Sequence, residues 1–222
     1  SLGYVAEPNT IYKNVFKLEP GYSILIDMAS GRQEKTQYWD VQFTGDYKGT
    51  FEDARVELQD RIREATKIRM VADVPLGAFL SGGVDSGAVV ADMADISDTP
   101  VNTCSIGFSE KSYNEADYAQ RVAERYKTNH WSRMVDPGDY SLVNKLIDIY
   151  DEPYADSSAL PTYRVCELAR EKVIVALSGD GGDENLAGYR RYQLQMFEQK
   201  LRGVFPDALR KPVFGTLGKL YP

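Results

Sequence analysis

Leu80-Ser81-Gly82-Gly83-Val84-Asp85-Ser86-Gly87 lies between the short apolar run Val74–Leu80 and a helical stretch over Ala88–Ala94. A buried strand that breaks on paired glycines and continues as a helix presents the free N–H groups of that helix's first turn. With them comes the positive end of the helix dipole, so the turn attracts anions. Gly82 and Gly83 permit unusual backbone angles and let a phosphate approach without meeting a Cβ. Ser81 and Ser86 add hydroxyl donors, and Asp85, which would repel a bare phosphate, points to a bridging Mg²⁺. Three commoner motifs do not fit. A Walker A loop needs a Lys, and Gly82–Asp92 has none. A nucleophile elbow needs Gly two residues before Ser81, where Phe79 stands, and the paired glycines lack the Gly-x-Gly-x-x-Gly spacing. The plainer alternative is an ordinary Gly-rich turn. Against it stands the loop's place at the carboxyl edge of a sheet, where ligands bind.

On either side of this loop, strands alternate with helices. Phe51, Ala54, Leu58, Ile62 and Ala65 recur at spacings of three and four and predict an amphipathic helix. Val101–Phe108, His130–Val135 and Val173–Leu177 read as strands. Asn114–Lys127, Pro137–Tyr150 and Leu160–Lys172 carry helical periods, and another helix is expected to begin near Glu184. The alternation predicts an α/β fold: a parallel sheet flanked by helices on both faces. The first 45 residues are different in kind, rich in Gly, Pro, Asn, Tyr and Thr, with strands expected at Tyr22–Ile26 and around Gln37–Phe43. Glu19-Pro20-Gly21 before the first and Ser30-Gly31 after it predict a hairpin. Two or three strands bury little alone, so this segment reads as the end of something larger.

The chain has 222 residues, with 26 Lys+Arg against 33 Asp+Glu and a formal charge of −7. That balance argues against a broad nucleic-acid or membrane surface. No apolar run approaches the ~18 residues that cross a bilayer. Two Cys are no disulfide scaffold and fit a reducing, cytoplasmic setting.

A second acidic, glycine-bearing loop follows the apolar run at Val173–Leu177: Ser178-Gly179-Asp180-Gly181-Gly182-Asp183-Glu184. Alone it reads equally as an exposed acidic turn. Paired with the first loop, it places Asp85 and Asp183 as two carboxylates able to share one Mg²⁺. The two loops in this order resemble the synthetase domain of the glutamine-dependent asparagine synthetases, within the pyrophosphatase-loop ATP enzymes (adenine nucleotide alpha hydrolase-like in fold). Gly188-Tyr189, Tyr113-Asn114-Glu115-Ala116 and Asp151-Glu152-Pro153 with Asp156-Ser157-Ser158 add to the likeness. Leu18-Glu19-Pro20-Gly21 and Tyr38-Trp39 resemble the last strands of that family's glutaminase domain.

The resemblance implies ATP-dependent activation of a carboxylate, aspartate by default, as an acyl-AMP with release of pyrophosphate. Ammonia from glutamine then displaces AMP. It also implies that Ser81, Gly82, Gly83 and Ser86 bind the pyrophosphate end of ATP, and that Leu80, Ile106, Ser178 and Gly179 hold the nucleotide. By the same likeness Asp85 and Asp183 bind Mg²⁺, and Asp180 serves the adenylate step, accepting a proton from ammonia. Residues 1–45 are then expected to be the C-terminal strands of a truncated glutaminase domain, and residues 46–222 an ATP-binding domain truncated at its C-terminus. The full-length protein is compatible with a homodimer. Three departures stand out: Asp180 where asparagine synthetases carry Glu, Gly87 where Ser or Thr is usual, and Asn185-Leu186 where an aliphatic–aromatic pair is common. They keep open a pyrophosphatase-loop ligase with another carboxylate acceptor, or a nucleotide-binding module without turnover.

The remaining residues have plain readings. His130 is expected to be structural, and Cys104 and Cys166 to be small buried hydrophobes. Glu152 and Asp156 read equally as acceptor-pocket residues or as parts of a helix-ending loop. Arg190-Arg191 reads either as a contact for an anionic substrate or, the favoured reading, as a solvated helix face.

Overall fold

The computed structural model describes residues 3–109, 114–136, 138, 140–204, 212 and 215. The chain divides into two compact units, Ser1–Ser178 and Gly179–Pro222. In the first, an antiparallel hairpin pairs β1 (Tyr22–Ile26) with β2 (Gln33–Gln37). Asp27 closes its turn by accepting from the amides of Ala29 at 2.9 Å and Ser30 at 2.8 Å. The second strand therefore begins at Gln33, not around Gln37–Phe43 as expected, because so short a turn fixes the register at once: Ile26 faces Gln33. Except for Tyr22, every residue of both strands is exposed.

Helix α1 (Phe51–Arg69) opens on a reciprocal cap. The Asp53 amide donates to Thr50 Oγ1 at 3.2 Å, and the Thr50 amide donates to Asp53 Oδ2 at 2.8 Å. Arg63 on this helix pairs with Asp95 of the next.

The main sheet has four parallel strands in the order β5-β4-β3-β6: β3 (Leu76–Phe79), β4 (Asn102–Phe108), β5 (Asn129–Val135) and β6 (Val175–Leu177). Helices α2 (Val84–Ile96) and α3 (Ala116–Tyr126) connect β3 to β4 and β4 to β5. A 3₁₀ turn (Tyr140–Leu142), α4 (Val143–Tyr150) and α5 (Ala159–Arg170) lead to β6. The helix expected from Pro137 thus starts at Tyr140; Pro137 itself lies outside the described residues.

Alternation along β3 covers both faces. Ala78 and Leu80 pack with Val90 and Met93 of α2 and Ala119 and Ala123 of α3. Phe79 joins Cys104, Leu168, Ala169 and Val173 on the face of α5. Cys104 is buried as expected, and burial pushes its thiol pKa up. Cys166 is exposed, contrary to expectation, because α5 turns Leu168 and Ala169 to the sheet instead. His130 is structural. Its ring joins β5 to β4 through Thr103 Oγ1 at 2.9 Å and Ser105 Oγ at 3.2 Å, and burial holds its pKa below the usual value.

In the second unit, α6 (Gly182–Leu186) starts two residues before the expected Glu184 and is short. It ends at Ala187, whose φ of 57° breaks the helix, and α7 (Arg190–Val204) follows. Among the described residues no helix is long and apolar enough to cross a membrane.

Candidate functional site

The chain passes from β3 into α2 through the first glycine loop. The Leu80 amide extends the β3–β4 ladder by donating to Cys104 O at 2.9 Å. Its side chain is 1% exposed, locked into the α2/α3 core, so only its backbone faces the loop. The loop is then pinned by its two serines. Ser81 and Ser86 hydroxyls lie 3.0 Å apart, the Ser81 amide donates to Ser86 Oγ at 3.2 Å, and the Gly83 amide donates to Ser81 Oγ at 3.3 Å. Between them Gly82 takes a φ of +84°, which favours glycine. Gly83, extended at φ −71° and ψ 164°, is the N-cap of α2 and brings no side chain to cap it. The first-turn amides are therefore left without side-chain partners from the cap. Asp85 lies in this first turn, where the dipole favours a carboxylate.

Ile106 lies on β4, close to the same carboxyl edge. The register pairs Phe79 with Cys104, so Leu80 shares a face with Ser105 while Ile106 shares one with Phe79. The two nucleotide-site candidates thus point to opposite faces of the sheet. Ser178 follows β6, which pairs in parallel with β3 through Leu76↔Val175, Gly77↔Ala176 and Ala78↔Leu177. The strand order reverses between β3 and β6, the position in an open parallel sheet where ligand crevices form. Leu80 and Ser178 leave adjacent strands at that reversal.

From Gly179 the second loop belongs to the other unit. Gly181 has a φ of +91°, and the Gly182 amide closes a turn on Gly179 O at 3.2 Å. Asp180 is exposed and Asp183 half-buried. The Gly188 amide donates to Asp183 O at 3.0 Å, and a Cβ on Gly188 would overlap Asp183 Oδ1 and lie 3.2 Å from Asp183 Cα. Gly188 is the floor on which the Asp183 carboxylate rests, a role that the Gly188-Tyr189 pair does not itself disclose in the sequence. Tyr189 donates its hydroxyl to Glu184 Oε1 at 2.6 Å. That bond holds the Glu184 carboxyl below its ordinary pKa and pushes Tyr189 up to about 12. Arg191 stacks its guanidinium over Tyr189 at 4.2 Å. Among the described residues no three His, Cys, Asp or Glu side chains converge on one point as a metal site.

Glu152 and Asp156 have local duties. Glu152 Oε1 takes the Lys17 ammonium at 2.6 Å, and Asp156 Oδ1 accepts from the Ser158 amide at 2.8 Å. Tyr113 lies outside the described residues.

Residues 57–220 match the family described as asparagine synthase. The chain belongs to the asparagine synthase family. It is 40% identical over 215 residues to a Methanocaldococcus jannaschii protein whose name assigns it as a glutamine-hydrolyzing asparagine synthetase; the match covers 95% of this chain and 39% of that protein. It is 33% identical to asparagine synthetase [glutamine-hydrolyzing] 1 of Bacillus subtilis, over 95% of this chain and 33% of that protein. A third relative, amidase chyE of Penicillium rubens, is 28% identical over 87% of this chain and 31% of its own length. The chain therefore spans about a third of the length of the relatives it matches. Within the family, the fold is the α/β sheet with helices on both faces that the sequence predicts.

Proposed function

We propose that this chain is the nucleotide-binding core of an ATP-dependent ligase that converts a carboxylate, aspartate by default, into an amide. The observation that carries the reading is the first loop: a left-handed Gly82 between two mutually bonded serines, backed by the uncapped first turn of α2. The names of its family relatives support asparagine as the product.

In this reading Ser81, Gly82, Gly83 and Ser86 receive the pyrophosphate end of ATP through hydroxyls and backbone amides. Leu80, by its backbone, and Ile106, Ser178 and Gly179 bound the rest of the nucleotide. A substrate carboxylate oxygen attacks the α-phosphorus, and the bond to the β,γ-pyrophosphate breaks. The ammonia lone pair then attacks the acyl carbon, AMP leaves with the electron pair, and Asp180 takes the proton. Adenylation is needed because a carboxylate is a poor electrophile. By the family likeness Asp85 and Asp183 are each assigned to Mg²⁺; a carboxylate beside phosphate oxygens suits this hard cation, which keeps part of its water shell and needs no all-protein cage. When bound, it would neutralise charge building on the departing pyrophosphate.

Residues 1–45 we assign to the end of a glutaminase part that releases ammonia from glutamine, and residues 46–222 to the ATP-binding part. The exposed apolar side chains of the hairpin region, Ile24, Leu25, Trp39 and Phe43, support a neighbour for it. A cytoplasmic location accords with two unpaired cysteines.

The test is aspartate-dependent exchange of labelled pyrophosphate into ATP, measured on the full-length protein that contains this chain. Asp85→Ala abolishes exchange while circular dichroism stays unchanged. Exchange that survives Asp85→Ala refutes the cation role. ATP·Mg²⁺ binding without exchange for any amino-acid carboxylate refutes the reaction.

A further inference from the structure

Asn114 stands two residues before α3, and one of its atoms serves two elements. Its Oδ1 accepts from the Phe108 amide at 3.4 Å and from the Ala116 amide at 3.2 Å. Phe108 is the last residue of β4 and Ala116 the first of α3. Glu115, the N-cap of α3, makes no side-chain cap, so Asn114 satisfies a first-turn amide from one place further back. Gly107 leaves the room for this: a Cβ there would lie 3.0 Å from Asn114 Oδ1 and 3.2 Å from Ala116 Cβ.

The turn that Asn114 holds is also the surface against which the phosphate loop lies. A Cβ on Gly82 would meet Tyr118 Cβ at 2.7 Å, Ala119 N at 2.9 Å and Glu115 O at 2.9 Å. These are backbone and Cβ atoms, which cannot rotate aside as a side-chain tip can. Glu115 O is itself fixed, accepting from the amides of Tyr118 at 3.0 Å and Ala119 at 3.1 Å. A small shift of the α3 first turn therefore moves Gly82, and with it the direction of the loop amides.

We propose that Asn114 is a positioning residue of the nucleotide site: its Oδ1 clamps the first turn of α3 to the end of β4 and so holds Gly82 where the loop receives the phosphates of a nucleoside triphosphate. This rests on the ATP reading given above. Asn114 acts through α3, whereas Ser81, Ser86 and Asp85 face the phosphates themselves. The requirement is an acceptor oxygen. Asp meets it equally, since a carboxylate is favoured at a helix N-terminus.

Calorimetric titration of the full chain with ATP·Mg²⁺ tests this. Asn114→Ala weakens binding about tenfold, equivalent to about 1.4 kcal/mol, while Asn114→Asp stays within about twofold of the wild type. The backbone amide resonances of Gly82 and Gly83 move in Asn114→Ala and return in Asn114→Asp. If Asn114→Ala does not fold, Asn114→Ser, with its shorter hydroxyl acceptor, replaces it and shows the same displacement in part. Asn114→Ala that melts earlier but binds ATP·Mg²⁺ with wild-type affinity and unmoved glycine resonances overturns the inference and leaves the proposed function standing. Equal weakening by Ala and Asp overturns it as well. A wild-type chain that binds no nucleotide overturns both.

Discussion

Replacing Gly82 by Ala and, separately, Gly87 by Ala puts one methyl group in the loop and one in the helix that follows it, and produces opposite results. At Gly82 the φ of +84° costs an L-residue about 1–2 kcal/mol. The new Cβ also meets Tyr118 Cβ at 2.7 Å and Ala119 N and Glu115 O at 2.9 Å, overpacking worth about 1–3 kcal/mol. Together the loss is about 2–5 kcal/mol, a fall in Tm on the order of 10 °C for a chain of this length. At Gly87, inside α2, a Cβ meets nothing within 4 Å and φ is ordinary. Ala there restores helix propensity and stabilises by about 0.5–1 kcal/mol. Urea unfolding of the two variants beside the wild type reads both signs, and ATP·Mg²⁺ titration should show loss of binding in Gly82→Ala. A Gly82→Ala variant as stable as the wild type would refute the claim that α3 is a rigid wall behind the loop.

His130 is the chain's one histidine, and burial depresses its pKa. The unfolded chain therefore takes up its proton first, so the stability His130 contributes is full above about pH 6.5 and is lost as pH falls through the lower folded value. A proton NMR titration of its ring should give a pKa below the ordinary one, and His130→Gln should flatten the pH dependence of Tm in that window; a ring titrating at or above about 6.5 contradicts this. Gly188→Ala should leave the fold intact but swing the Asp183 carboxylate aside, because the severe overlap is with Oδ1 at the tip of that side chain, while Cγ at 3.0 Å and Cα at 3.2 Å need to give only a few tenths of an ångström. The Mg²⁺ needed for half-maximal pyrophosphate exchange should rise about tenfold, and an unaltered Mg²⁺ dependence would separate Gly188 from the cation.

The main sheet was legible because β3 and β6 lie within short apolar runs and strands alternate with periodic helices. Val74–Leu80 and Val173–Leu177 stand out as short apolar runs, each followed by a serine and glycines. The hairpin's second strand was not legible, since Gln33-Glu34-Lys35-Thr36-Gln37 buries nothing and so carries no alternation. The aromatic residues within Gln37–Phe43 draw the strand assignment there in its place. Cys166 was misplaced because composition favours burial, whereas the helix register decided which face met the sheet. In the site, residue types and their place between strand and helix mark the first loop as an anion-binding turn, and the pairing of the two loops is read by family resemblance. That Leu80 can offer only its backbone, and that Asp183 lies over Gly188, depends on packing and on contacts no motif encodes.

The pairing of β3 with β6 joins residues about a hundred positions apart, while β3–β4 and β4–β5 close over far shorter spans. During synthesis the ribosome can therefore release α2, α3 and three strands as a nearly finished layer long before the last strand arrives. Until α5 and Val175–Leu177 dock, Ser178 has no fixed address, and the nascent protein carries one strand end of the proposed nucleotide site without the other. Competence to take up nucleotide should then appear late and abruptly as the chain lengthens, with the arrival of the fourth strand as the closing event.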